Sequence, residues 1–215
     1  SLGLVGSEMC IRDRYEAEQC LIEPINEQTA WITGSQVCYC AEAFQSVPRE
    51  HPDAPALSVL ATVLRNGYLH TAIREKGGAY GAGATNDTST NTFKFFSYRD
   101  PKCSETFAAF KEAIEWSKTS ITNQHLEEAI LGVVSSIDKP LSPVGEAKND
   151  FNFNLENITT KERLEMRQRV INCSIEDLIR VSKKYLTRGD SKKSILAGES
   201  YREEASSLGL VLKEV

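Results

Sequence analysis

At 215 residues, with 40% hydrophobic and 26% charged residues, the chain can bury a sizeable core as one large domain or two small ones, which excludes a disordered or low-complexity protein. A net charge of −5 leaves no basic footprint for nucleic acid. The longest apolar run, residues 129–134, is far too short to cross a bilayer, so a soluble protein is expected.

Residues 1–14 have no initiator methionine and no basic region ahead of an apolar stretch. They read as translated adapter or assembly read-through, not as a signal peptide, and the true chain is then longer at its N-terminus. Residues 15–29 read as a linker or the remnant of a preceding domain, 30–200 as the globular domain and 201–215 as a weakly specified tail. Within 30–44, Trp31, Ile32, Val37, Tyr39 and Phe44 favour one or two strands with Gly34 as a weak point. Asp53 is placed to cap a helix with Pro55 in its first turn and Leu57, Leu60, Ala61 and Leu64 along one stripe. Asn66-Gly67 predicts a break, with a second, shorter helix running on to Lys76.

Five of the 13 glycines lie between Gly67 and Gly83. Gly77 and Gly78 suit a helix C-terminus, where a left-handed residue costs little without a Cβ, and Arg74 and Lys76 complement the helix dipole. A strand is expected from Ala79, with Ala79, Gly81 and Gly83 on one face and Tyr80, Ala82 and Ala84 on the other. Apart from Tyr80 neither face carries a large side chain, so another backbone can approach closely. No Gly-Lys-Ser or Gly-Lys-Thr follows, and the helix precedes the glycines, which argues against a phosphate cradle.

Residues 92–98 read as a further strand, with Phe93 and Phe95 on one face and Phe96 and Tyr98 on the other. Helices follow from Asp100-Pro101 with Phe107, Phe110 and Ile114 towards the core, over 122–138 capped by Thr122, over 144–155 and 160–170, and over 174–186 capped by Ser174 with Asp177. Residues 194–198 form a candidate edge strand. Strands with returning helices give α+β or α/β. The six cysteines (Cys10, Cys20, Cys38, Cys40, Cys103 and Cys173) contain no Cys-x-x-Cys pair and read as free thiols in a reducing compartment, Cys38 and Cys40 sharing one strand face.

Three ordered motifs carry a resemblance: His51-Pro52-Asp53-Ala54-Pro55-Ala56-Leu57, the stretch from Leu64 through Arg74-Glu75-Lys76-Gly77-Gly78-Ala79-Tyr80 to Ala84, and Phe95-Phe96-Ser97-Tyr98-Arg99-Asp100-Pro101. Together they resemble the last domain of the pitrilysin-type zinc peptidases, in the presequence protease branch, over about residues 30–196. The resemblance implies an α+β fold, a mostly antiparallel sheet packed against several helices in a two-layer peptidase-type domain. It also implies that the metal and general base lie in a first domain, while the last domain closes on the substrate with an arginine and a tyrosine. These match Arg74 and Tyr80, flanking the glycine turn. Gly77, Gly78, Ala79, Gly81 and His70 then line the substrate, which the bare strand accepts as an added strand. On residues alone, Arg74 reads as a helix-terminal cation, Tyr80 as a strand aromatic, and the Arg99-Asp100 pair as structural; the joint match assigns the first two to a site.

That family's inverted zinc motif, His-x-x-Glu-His, is absent. His51 precedes a proline, His70 lies in a helix, and His125-Leu126-Glu127-Glu128-Ala129 has alanine where the second histidine belongs. Zinc needs about three converging protein ligands, so the chain is expected to hold no metal and to be inactive alone, with zinc held elsewhere in the intact enzyme. The resulting expectation is the substrate-clamping C-terminal part of a zinc metalloendopeptidase that degrades short unstructured peptides such as cleaved presequences. Its partners would be peptide substrates and the zinc domain of the same polypeptide, with neither nucleic acid nor membrane, in a bacterial cytoplasm or an organelle matrix. A non-catalytic scaffold or peptide-binding subunit, and an unrelated α+β interaction domain, stay open as alternatives.

Overall fold

The structure, a computed structural model, describes residues 27–214. The readings of residues 1–14 and of most of 15–29 fall outside them. Six strands, β1 (Thr29–Thr33), β2 (Cys38–Gln45), β3 (Gly81–Asp87), β4 (Thr92–Asp100), β5 (Lys192–Gly198) and β6 (Val211–Glu214), form one sheet in the order β3-β4-β2-β5-β1-β6. The pairings β3/β4, β4/β2 and β2/β5 are antiparallel, whereas β5/β1 and β1/β6 are parallel. Seven α-helices accompany them among the described residues: α1 (Ala54–Leu64), α2 (Ser104–Ser117), α3 (Asn123–Ile137), α4 (Pro143–Leu155), α5 (Thr160–Ile171), α6 (Ile175–Tyr185) and α7 (Arg202–Ser207). The fold is α+β with a mostly antiparallel sheet, as the resemblance implies.

Strand alternation decides which side of the sheet the helices cover. Along β2, Cys38, Cys40, Glu42 and Phe44 are buried, and along β4 Phe93 and Phe95 are. Against them lie Leu57, Leu60 and Leu64 of α1 and Phe107, Phe110 and Ile114 of α2. Phe44, Phe95, Phe110 and Phe107 form a relay of ring contacts with centroids 5.3 to 5.9 Å apart. The opposite face keeps Trp31, Leu196 and Tyr98 partly in solvent.

Four expectations are corrected. The 194–198 strand is internal, because β5 sits between β2 and β1; a parallel partner on one side and an antiparallel one on the other cannot be read from seven residues. Residues beyond 200 add α7 and the edge strand β6, which pairs with β1. Asn66-Gly67 does not break the helix: α1 passes without interruption into a π-helical segment, Arg65–Glu75. The helix expected from Asp100-Pro101 begins at Ser104.

Asp53 occupies the N-cap of α1, but its carboxylate makes no cap hydrogen bond. It is 4% exposed and instead accepts from Arg180 Nη1 (2.6 Å), Lys184 Nζ (2.7 Å) and Tyr185 Oη (2.7 Å) of α6. The caps of α3 and α6 are as expected, and each is a capping box: Thr122 with His125, and Ser174 with Asp177. His125 Nδ1 accepts the Thr122 N–H, and its ring packs on Trp116, so its role is to start a helix.

Candidate functional site

The π-helical segment is bound to α2 on its inner side. Gly67 lets the Trp116 ring approach so closely that a Cβ there would lie 2.7 Å from it, Tyr68 packs on the same ring, and Tyr68 Oη donates to Glu112 (2.8 Å). Burial, followed by that hydrogen bond, pushes the Tyr68 phenol up to about 12, so it stays a neutral donor. Leu69 and Ile73 are buried, while Arg74 one residue further on is exposed. Wide helical turns of this kind, with Lys76 N donating to Thr71 O five residues back, are frequent at functional sites.

Arg74 is not a bare helix-terminal cation. Its Nη1 lies 3.1 Å from His70 Nε2, and since a guanidinium only donates, Nε2 must accept. The imidazole proton then resides on Nδ1, which faces Glu75 Oε1 at 3.4 Å. His70 thus helps set the direction of the guanidinium, with Glu75 beside it.

The two glycines that end this segment have different physical roles. Gly78 adopts φ +86°, the left-handed conformation, and donates to Arg74 O (3.1 Å). Gly77 is required by contact, since a Cβ would sit 2.4 Å from the Ile73 carbonyl oxygen. Gly77→Ala should therefore cost about 2 kcal/mol or more of stability and Gly78→Ala about 1, read by urea denaturation of the two variants. An unperturbed Gly77→Ala variant would contradict this account of the turn.

Ala79 is buried, Tyr80 N donates to Arg99 O (3.2 Å), and the assigned strand opens at Gly81, not at Ala79. The face expected to be bare is filled from across the strand. Gly81 lies opposite Tyr98 and Gly83 opposite Phe96, and Cβ atoms on these glycines would meet those rings at 2.3 and 3.0 Å. The glycines thus make room for the neighbouring strand's aromatics. What β3 does offer is its outer edge: it ends the sheet and pairs with β4 alone among the described residues.

Tyr80 stands 62% exposed, its ring 5.5 Å from that of Tyr98, with the Arg99 guanidinium 5.9 Å from its centroid. Arg99 has φ +49° and is exposed, whereas Asp100 is buried and accepts from Lys102 N (3.0 Å) and Thr106 Oγ1 (2.7 Å). The sequence pair therefore splits, Asp100 organising the approach to α2 and Arg99 flanking Tyr80. Tyr98, Arg99 and Glu75 are the neighbours that sequence reasoning did not place here; only the strand register and the helical pitch bring them in.

Residues 31–196 match the family model described as PreP C-terminal domain. The chain belongs to the PreP C-terminal domain family. It is 33% identical over 193 residues to the mitochondrial presequence protease of Xenopus tropicalis, covering 89% of this chain and 18% of that protein. A protease from Helicobacter pylori shares the fold at a TM-score of 0.66 and 20% identity, over 81% of this chain and 45% of that one. An M16 peptidase inactive domain from Pseudomonas fluorescens does so at 0.60 and 16%, over 80% and 44%. These fold neighbours of the PreP C-terminal domain thus include a peptidase M16 domain.

The catalytic zinc of such peptidases does not fit the described residues. His51 Nδ1 accepts from Asp53 N, His70 from Arg74 and His125 from Thr122, and no histidine belongs to a group of three potential ligands among the described residues. No helix among those residues is long and apolar enough to cross a membrane.

Proposed function

We propose that this domain is the substrate-clamping part of a zinc metalloendopeptidase that degrades short unstructured peptides of the presequence class, in an organelle matrix or the corresponding bacterial compartment. The reading is supported by two exposed residues, Arg74 and Tyr80, that flank the Gly77-Gly78 turn in sequence just ahead of β3, which ends the sheet among the described residues. An extended peptide pairs with that edge through main-chain hydrogen bonds, which hold it without regard to its side chains. Arg74, aimed by His70, and Tyr80, steadied by Tyr98, then supply charge-assisted and neutral hydrogen bonds to a substrate carbonyl or terminus. The Tyr80 phenol acts through its O–H, which can donate one hydrogen bond.

The metal and its ligands belong, in this reading, to another part of the longer polypeptide; the chain spans 18% of the Xenopus tropicalis relative. Hydrolysis by the domain alone is accordingly not expected. The test is a chimera in which this chain replaces the matched segment of that relative. Cleavage of a presequence peptide by the chimera and none by the isolated domain supports the assignment. Hydrolysis by the isolated domain, or Arg74 and Tyr80 variants of the chimera that cleave at the parent rate, refutes it.

A further inference from the structure

Three buried thiols meet where β2 passes the loop before α2, and nothing in the clamp uses them. Cys38 and Cys40 share the inner face of β2, and Cys103 arrives from the residue preceding α2. The sulfur of Cys40 lies 3.9 Å from that of Cys38 and 3.9 Å from that of Cys103, and all three fall within 4.8 Å of one another. Each residue is at most 1% exposed.

From this geometry we infer that Cys38, Cys40 and Cys103 form a binding site for one soft, thiophilic metal cation of the Zn2+ or Cu+ type. A cation about 2.3 Å from each of three sulfurs places those sulfurs about 3.8 Å apart in tetrahedral and about 4.0 Å apart in trigonal coordination. The two spacings from Cys40, 3.9 Å each, fall in that range, and the third pair of sulfurs lies within 4.8 Å. Thiolate sulfur selects these metals over Mg2+ or Ca2+.

Two features hold the third sulfur in place. Cys103 immediately precedes α2, whose positive end favours thiolate there. The Asp100 carboxylate takes hydrogen bonds from Lys102 N and Thr106 Oγ1, bracing the loop that presents Cys103. The Cys38 thiol lies within hydrogen-bonding reach of the Asp100 and Lys102 carbonyl oxygens, at 3.1 and 3.3 Å. Binding exchanges protons for metal: each sulfur–metal bond formed releases one thiol proton to solvent, and no oxidation state changes. The Cys-x-Cys spacing gives no hint of this in sequence, because the third ligand is 63 residues away from Cys40.

The test uses the full chain with Cys10, Cys20 and Cys173 replaced by serine, expressed in medium supplemented with zinc or with copper and purified under a thiol reductant. The expected result is one metal per chain by elemental analysis, a thiolate-to-metal charge-transfer band, and a Tm that falls when a chelator removes the metal. Zinc retained in one arm or Cu+ in the other identifies which soft cation the site prefers. Cys40→Val, an apolar replacement of similar volume that keeps the core filled, should lose metal and band while keeping its far-ultraviolet dichroism. Absence of stoichiometric metal in both arms, or undiminished metal in Cys40→Val, overturns the site. So does a Cys40–Cys103 disulfide found as the sole product of both expressions.

Discussion

In the chimera with the Xenopus tropicalis relative, Arg74→Ala and Tyr80→Phe should each lower kcat/KM by roughly 100 to 1,000-fold while zinc content stays that of the parent, as expected when one well-placed donor to a developing oxyanion is removed. Tyr80→Phe is the cleaner probe. It deletes one hydroxyl and leaves the ring that packs on Tyr98, so the turn and strand are undisturbed. Arg74→Lys keeps the charge but loses the planar fork, and should fall nearer to alanine than to the parent. His70→Ala should give a smaller loss, because His70 acts by aiming the guanidinium 3.1 Å away. Cleavage assays with a presequence peptide, paired with metal analysis, check the series. Full activity in both Arg74→Ala and Tyr80→Phe would remove the clamp from the mechanism.

A large loss of stability, about 2 to 4 kcal/mol, is expected for Asp53→Asn, measured by urea denaturation at neutral pH. One carboxylate, 4% exposed, ties the start of α1 to three side chains of α6. Its removal leaves Lys184 without a counter-charge and Arg180 with Asp177 alone, 3.1 Å away. Both are about half exposed and partly hydrated, which keeps the expected loss below that of a fully buried pair. The same contacts set an acid limit. Burial pushes the Asp53 carboxyl up, but hydrogen bonds from Lys184, Tyr185 and Arg180 outweigh it and hold it well below the usual carboxylate range. Because the folded-state value is depressed, the stabilisation is complete above the unfolded value of about 3.9 and is lost as pH falls below it. Denaturation midpoints measured from pH 6 down to about pH 2.5 should drop in the parent and much less in Asp53→Asn. Parallel curves for the two proteins would show that Asp53 is not the group responsible.

Much of the architecture is legible in local pattern. The Leu57, Leu60, Ala61 and Leu64 stripe, the Thr122 and Ser174 caps, the paired faces of Phe93/Phe95 and Phe96/Tyr98, and the turn at Gly77-Gly78 all follow from side-chain period and backbone permissiveness. Other features resist such reading. Asn66-Gly67 has the composition of a break, yet the Trp116 ring occupies the space that Gly67 leaves, and the chain stays helical with a wider pitch. Asp53 has the composition of a cap, yet three donors 127 to 132 residues away claim its carboxylate.

The candidate site divides in the same way. Arg74, Tyr80 and the glycines between them are contiguous, so their residue types and order suffice to single them out. Their immediate surroundings are not contiguous: Tyr98 reaches Tyr80 and Gly81 through antiparallel register, and β3 becomes an edge only because β4, β2, β5, β1 and β6 all assemble on its other side. The thiol cluster is the extreme case, joining two strand residues to one at a helix start. Periodicity, capping and turn chemistry act over a few residues and are therefore written along the chain. Sheet order, filled faces and converging ligands depend on contacts between distant segments, which exist only after the core has brought those segments together.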